Sequence, residues 1–296
     1  MIEIKSLTKR FDTTVAVDNL TLTLKPGVIG LVGHNGAGKS TLFRLISDVL
    51  TLDSGTITID GIPNNDPHAK AKVFFLSDSP YAPHNEDYRG VYNFYRNFFP
   101  IDFEKYTGFI AKLKLPTDRR VSSFSKGMRR QLFLALALSV KADYYLLDEA
   151  FDGIDPLALD EIKEEIIKLG QEGCTVVLSS HNIASLERLV DRFVVLYRGS
   201  LSKEGETEEL GKDFVKYQAM FPKEVRESDI ASLGAEVVSF KKTGSIYHIV
   251  LVSDKSVNEK IEASLNPLLW ENVPIDPDEI VTLQMLLAKK GGIKHE

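Results

Sequence analysis

The sequence predicts an α/β protein built on a mostly parallel sheet, with an antiparallel β edge, a helical insert and a small C-terminal α+β appendage. Three observations predict it. Short apolar runs alternate with stretches of helical spacing between residues 28 and 196, the pattern of a parallel sheet covered on both faces. A glycine-rich stretch, Gly33-His34-Asn35-Gly36-Ala37-Gly38-Lys39-Ser40-Thr41, joins the first of these runs to a helix. After about Gly211 the alternation gives way to a hairpin signal and two further helical stretches.

Taken in order, Ile2-Glu3-Ile4 and Leu20-Thr21-Leu22-Thr23-Leu24 alternate apolar with polar, the period of half-buried strands. Phe11 lies between them in a Lys-Arg-Phe-Asp-Thr-Thr turn. Pro26-Gly27 punctuates the chain, residues 28–32 read as a buried strand and residues 41–50 as a helix. Residues 54–61 read as turn, short strand and turn, and residues 73–76 as another buried strand. From about Asp78 to Val140 strand signals vanish and aromatic residues crowd the start of a helical insert. The run at 132–140 reads as a buried helix. Strands at 144–147, 175–178 and 193–196 then alternate with helices at 157–169 and 183–190. Beyond a linker at about Gly211, residues 236–240 and 246–252 flank Lys241-Lys242-Thr243-Gly244-Ser245, and helices are expected at 257–265 and 278–288. This divides the chain into a first domain at 1–211, with its insert at about 78–140, and a second at 212–296. The last residues, 291–296, are expected to fray.

Composition bounds the class. A hydrophobic share of 43% with 26% charged residues is ordinary for a globular protein, and a net charge of -6 gives no basic footprint for nucleic acid. The single cysteine, Cys174, excludes an internal disulfide and most cysteine metal sites, and in its strand-like run it is expected to be a small core residue. The N-terminus lacks the basic region and apolar block of a signal peptide, and no apolar run approaches bilayer length. A cytoplasmic chain, serving any membrane through a partner, is the expectation.

The glycine stretch fits the phosphate-binding pattern of two glycines with four residues between them, followed by Lys and Ser. Strand before it and helix after it supply the context that pattern requires, so the fold is expected to be a P-loop NTPase core. Gly36 and Gly38 let successive backbone N–H groups face one anion, and the helix start adds its positive end. Lys39 is expected to reach the β- and γ-phosphates of a nucleotide and the Ser40 hydroxyl to ligate Mg²⁺. Tyr144-Tyr145-Leu146-Leu147-Asp148-Glu149 is an apolar strand ending in two carboxylates. Ligands gather at the carboxyl ends of such strands. Asp148 is expected to hold Mg²⁺ through water, and Glu149 to polarise the water attacking the γ-phosphate. His181 ends the next strand on the same edge. Ser125 reads as an N-cap, and its hydroxyl, the Gly127 N–H and the helix dipole form a second anion site. Physics alone reads that segment as simply a capped helix.

Together these residues resemble an ATP-binding-cassette (ABC) ATPase subunit of the bacterial exporter type. Gly33 to Thr41 matches the Walker A loop and Leu146-Leu147-Asp148-Glu149 the Walker B end. Phe124-Ser125-Lys126-Gly127-Met128 matches the family signature at Ser and the second Gly. Asp152-Gly153-Ile154-Asp155-Pro156 resembles the segment after Walker B, and His181 the switch histidine. The phosphate loop is common to many NTPases; the signature between it and Walker B is specific to this family. The resemblance implies ATP held by Asn35, Gly36, Ala37, Gly38, Lys39, Ser40 and Thr41, with Mg²⁺ on Ser40, Asp148 and Asp78. It implies Glu149 and His181 as catalytic residues and Phe11 as the aromatic stacked on adenine, where packing is the other reading of Phe11. It implies a second cassette subunit, so that Ser125, Gly127 and Asp155 act in trans, and a separate transmembrane subunit.

Two departures stand out. Asp78 occupies the place where the family has Gln or Glu after the strand at 73–76, and Lys126 replaces the first signature glycine. The aromatic run after Asp78 matches the region that meets the membrane subunit in the family, and Tyr81, Tyr88 or Tyr92 either lines that groove or packs inside the insert. The implied function is an ATPase subunit driving a membrane transporter, an exporter of drug, antibiotic, peptide or lipid. The competing reading, a family member acting on ribosomes or nucleic acid, is disfavoured by one phosphate loop, no long heptad stretch and net acidity.

Overall fold

The computed structural model describes residues 1–181, 186, 189–206, 209 and 211–291. The helix expected over 183–190 falls mostly outside them, as do the last residues, 292–296. Two compact units divide the chain, Met1–Leu201 and Ser202–Glu296.

The first unit opens with a long hairpin, β1 (Ile2–Phe11) and β2 (Thr14–Leu24). Phe11 pairs with Thr14 as the last residue of β1 and is not part of the turn, which is only Asp12-Thr13. Asp12 takes the positive φ of 50° that so tight a reversal needs. These strands join β4 (Ser54–Ile59) and β5 (Ile62–Pro63) in an antiparallel sheet of their own, ordered β2-β1-β4-β5, after β3 (Gly27–Val32) and α1 (Lys39–Ile46). Helix α1 stops four residues before the sequence suggests. Ser47 turns its hydroxyl back onto the Phe43 carbonyl at 2.8 Å, and Asp48 follows at φ 54°.

A short α2 (Pro67–Lys70) leads to β6 (Val73–Leu76). The insert holds α3 (Tyr88–Tyr95), α4 (Phe103–Lys112) and α5 (Lys126–Ala137). Then come β7 (Tyr144–Leu147), α6 (Pro156–Gln171), β8 (Thr175–Ser180), β9 (Arg192–Tyr197) and β10 (Ser200–Gly205). The second sheet is ordered β10-β9-β3-β8-β7-β6, and the pairs β9-β3, β3-β8, β8-β7 and β7-β6 are parallel. Its strands read as continuous apolar runs because both faces are covered. Ile29, Leu31, Leu146, Val177 and Val194 turn one face into a core shared with β1, β2, β4 and α1.

The insert's aromatics are largely packing. Tyr88 and Tyr106 are buried, and the Tyr106 hydroxyl donates to the Tyr88 carbonyl at 2.9 Å. Tyr92 stacks on Tyr106 at 5.9 Å and lies 4.6 Å from Phe103, whereas Tyr81 is exposed with its ring against Phe94. Burial pushes the Tyr95 and Tyr145 phenols up to about 12, and Tyr106 further in the same direction. Because the folded pKa lies above the unfolded one, this contribution is complete below about pH 10 and is lost as pH rises towards the folded values. The melting temperature is therefore expected to fall steadily between about pH 10 and pH 12. Phenolate absorbance from these three tyrosines should appear only with unfolding, which an ultraviolet titration measures.

Cys174 precedes β8 half-buried, and is not a full core residue. Its thiol lies 3.7 Å from the Ala142 carbonyl oxygen, and burial raises its pKa.

The second unit is an antiparallel sheet ordered β12-β13-β11-β14. Its elements are β11 (Phe214–Met220), α7 (Glu227–Ala231), β12 (Val237–Thr243), β13 (Ile246–Val252), α8 (Lys255–Leu265), β14 (Leu269–Val273) and α9 (Pro277–Gly291). Alternation along β13 sends Tyr247, Ile249 and Leu251 to one core with Val257 and Ile261, and Val250 to another with Leu283.

Candidate functional site

Register places the site. Val32 pairs with Ser180, Leu147 with Leu178 and Leu76 with Leu147, so four parallel strands end along one edge. The residues that follow, Gly33, Asp148, Glu149 and His181, emerge there together. Among the described residues no helix is long and apolar enough to cross a membrane.

The loop after β3 is shaped by its glycines. Gly38 sits at φ 104°, and a Cβ there would stand 2.4 Å from the Ala16 carbonyl oxygen. Gly36 has open space around it, and its φ of 83° is what suits glycine. Asn35 and Gly36 are exposed, Ala37 is buried, and Ser40 and Thr41 are half-buried in the first turn of α1. Lys39 is only 5% exposed. Its ammonium donates to the Gly33 carbonyl at 2.7 Å and lies 3.4 Å from Glu149 Oε1. The other Glu149 oxygen lies 3.1 Å from His181 Nδ1. The ligand atoms of Glu149, Asp152 and His181 all fall within 4.8 Å of one another, at a small cavity of about 110 Å³. Lys39, Glu149 and His181 thus form one polar cluster.

Glu149 holds φ 45°, a conformation costing a residue with a side chain about 1–3 kcal/mol. The strain aims its carboxylate back over the strand ends. Three hydrogen bonds hold it and Asp148 there. The Glu149 N–H donates to Ser179 Oγ at 2.8 Å, and Ser179 in turn donates to Asp148 Oδ1 at 2.5 Å. Arg130 Nη1 donates to the Asp148 carbonyl at 3.4 Å. Sequence reasoning missed both Ser179 and Arg130. The Ser-Ser-His run at the end of β8 was the available signal for the first. Arg130 gave none, since its contact depends on how α5 packs.

Asp148 is fully buried, and its Oδ2 has no hydrogen-bond partner among the described residues. A desolvated carboxylate oxygen left unpaired is costly, and a hard cation or its water shell would satisfy it. The residue therefore fits Mg²⁺.

The remaining expected residues stand elsewhere. Phe11 is 43% exposed with the Lys9 ammonium 5.5 Å over its ring, so it is not a core residue. Asp78 is exposed on the lining of a cavity beside α5, and among the described residues no hydrogen bond or ion pair joins it to Ser40 or Asp148. Ser125 caps α5, accepting from the Met128 N–H at 3.2 Å. Asp155 caps α6, accepting from the Leu157 N–H at 3.0 Å. A Cβ on Gly127 would stand 2.3 Å from the Gly153 carbonyl oxygen, and Lys126 lies 3.7 Å from Asp152. The start of α5 and the segment after β7 are therefore pressed together within one chain.

The profile of the ABC transporter family matches residues 17–152. The chain is 32% identical over 225 residues to the ABC transporter ATP-binding protein NatA of Bacillus subtilis, covering 71% of this chain and 91% of that one. It is 25% identical over 296 residues to the ABC transporter ATP-binding protein YtrB of the same organism, covering 99% of each. It is 29% identical over 240 residues to the Nod factor export ATP-binding protein I of Burkholderia thailandensis, covering 76% of this chain and 79% of that one. A solved dimeric ATP-binding cassette in a post-hydrolysis state with ADP and Pi shares the fold, with a TM-score of 0.61 at 22% identity over 70% of this chain and 98% of that one.

Proposed function

The chain belongs to the ABC transporter family as an ATP-binding subunit and an ATPase, and on that premise we propose that it powers export of a drug, antibiotic, peptide or lipid through a separate membrane polypeptide. The export direction draws support from the Nod factor export relative, whose name states that direction for that protein.

The observation that carries the hydrolytic reading is Glu149, strained and wedged between Lys39 and His181 at the edge where β3, β7 and β8 end. Residues 35–41 hold the phosphates of ATP, with Lys39 leaving Glu149 to bind them. Ser40 and Asp148 would hold Mg²⁺. When bound, Mg²⁺ neutralises charge on the transferring phosphate oxygens. Glu149 takes the proton of the attacking water, and His181 orients Glu149 and faces the γ-phosphate. Phe11 offers its exposed ring to adenine. Two such chains face each other, and Ser125, Gly127 and Asp155 of one complete the ATP site of the other. Asp78 contributes at most through solvent.

The test uses tagged Glu149→Gln, purified from its native cells in detergent with Mg-ATP. An integral membrane polypeptide in near-equal amount is the expected result. The parent chain with its intact Glu149, reconstituted with that polypeptide in vesicles with the cassette outside, should accumulate cargo in the lumen when ATP is added. Recovery only with ribosomes or nucleic acid, or ATP-driven loss of cargo from loaded vesicles, would overturn the reading.

A further inference from the structure

Beside the start of α5 lies a cavity of about 440 Å³, lined by none of Lys39, Glu149 and His181. Phe124 and Phe133 form apolar wall, and Lys126, Arg129 and Arg130 bring three cations against one exposed carboxylate, Asp78. Arg130 is 6% exposed. Among the described residues its guanidinium makes a single hydrogen bond, the one at 3.4 Å to the Asp148 carbonyl, and no carboxylate lies within ion-pair distance of it. A guanidinium carries five N–H donors in a planar fork, and burying its charge without an opposite one is costly.

The helix makes the arrangement costlier. Lys126 is the first residue of α5, Arg129 and Arg130 lie one turn on, and the first turn holds no acidic residue. A helix start carries partial positive charge and disfavours cations. Two local rules are thus broken at one cavity, the pattern expected where a ligand offsets the cost.

We propose that this cavity is an oxyanion site, taking a carboxylate or phosphate group on the Arg130 fork, with Arg129 and Lys126 adding charge. Arginine's planar donors match two oxygens of either group, which a lysine cannot do. Lys126 is free to contribute because its contact with Asp152 is a solvent-exposed pair at 3.7 Å. The group comes either from a free anion or from an acidic side chain of a partner polypeptide. The proposal is independent of ATP hydrolysis.

The full chain, free of nucleotide, is titrated with inorganic phosphate and separately with N-acetyl-glutamate amide. Calorimetry gives affinity, and the Arg130 Nε–Hε resonance gives location. Saturable binding that shifts this resonance is expected, weakened about tenfold or more in Arg130→Gln and partly restored in Arg130→Lys. Tighter phosphate binding assigns a free anion, and tighter binding of the capped glutamate assigns a protein side chain. Should Arg130→Gln fail to fold, the exposed Arg129→Gln is expected to weaken binding a few-fold while the Arg130 resonance still responds. Absence of saturable binding by both probes overturns the proposal. So does binding that is lost in Lys39→Ala or Ser125→Ala but untouched in Arg129→Gln, since the anion would then lie on the phosphate loop or the helix cap.

Discussion

Lys39→Ala is expected to abolish measurable MgATP binding. The ammonium is almost wholly buried and already occupies a polar slot lined by the Gly33 and His34 carbonyls and Glu149. In the proposed site it exchanges Glu149 for two phosphates. Hydrogen bonds to charged groups contribute about 1.5–3 kcal/mol each, so losing both weakens binding by at least about a hundredfold. Isothermal calorimetry measures this directly. Lys39→Met, which keeps the apolar stem, separates loss of charge from loss of packing and should bind as poorly while melting closer to the parent. Undiminished affinity in either variant would remove the phosphate loop from the site.

Glu149→Gln is expected to do the reverse, keeping nucleotide and losing turnover. The amide is nearly isosteric and can still contact His181 Nδ1, 3.1 Å from the carboxylate oxygen it replaces. A positioned base contributes about 10²–10⁴ in rate, and kcat should fall by that factor. ATP affinity should rise a few-fold, because the competing Lys39–Glu149 contact at 3.4 Å loses its charge. The variant should therefore accumulate as an ATP-bound dimer, visible by light scattering. Full turnover would show that the base lies elsewhere. The two substitutions act on opposite partners of one ion pair, so their effects on binding and rate separate cleanly.

Much of this arrangement was legible in the sequence, and the boundary of legibility has physical causes. The phosphate loop, the two carboxylates after β7 and the histidine after β8 are local patterns. Each is a short apolar run followed at once by the residue that matters. Ser179 and Arg130 are different. Their importance comes from strand register and from the seating of α5, which no neighbouring residues announce. Strand β1 runs through to Phe11 because its cross-strand partners on β2 demand it, while its polar stretch and Asp12-Thr13 turn carry no common hairpin signature. In the second unit β12, β13 and the flanking helices were apparent from alternation and spacing. Strands β11 and β14 were not, because Lys216, Gln218, Glu271 and Asn272 interrupt them. Their pairing is held instead by long-range contacts such as Tyr217 stacked on Trp270 at 4.3 Å. The compact units part at Leu201, about ten residues before the composition shift at Gly211.

Gly127 has no room for even a methyl group against the Gly153 carbonyl, with 2.3 Å left for a Cβ. In the proposed dimer, Ser125 and Gly127 serve one ATP while Glu149, four residues from Gly153, serves the other. The two half-sites carried by each chain then share a rigid joint, and the two catalytic clocks of the dimer run in fixed phase. A mixed dimer with one dead site would therefore change the cadence of its intact site as well as the total number of ATP molecules consumed.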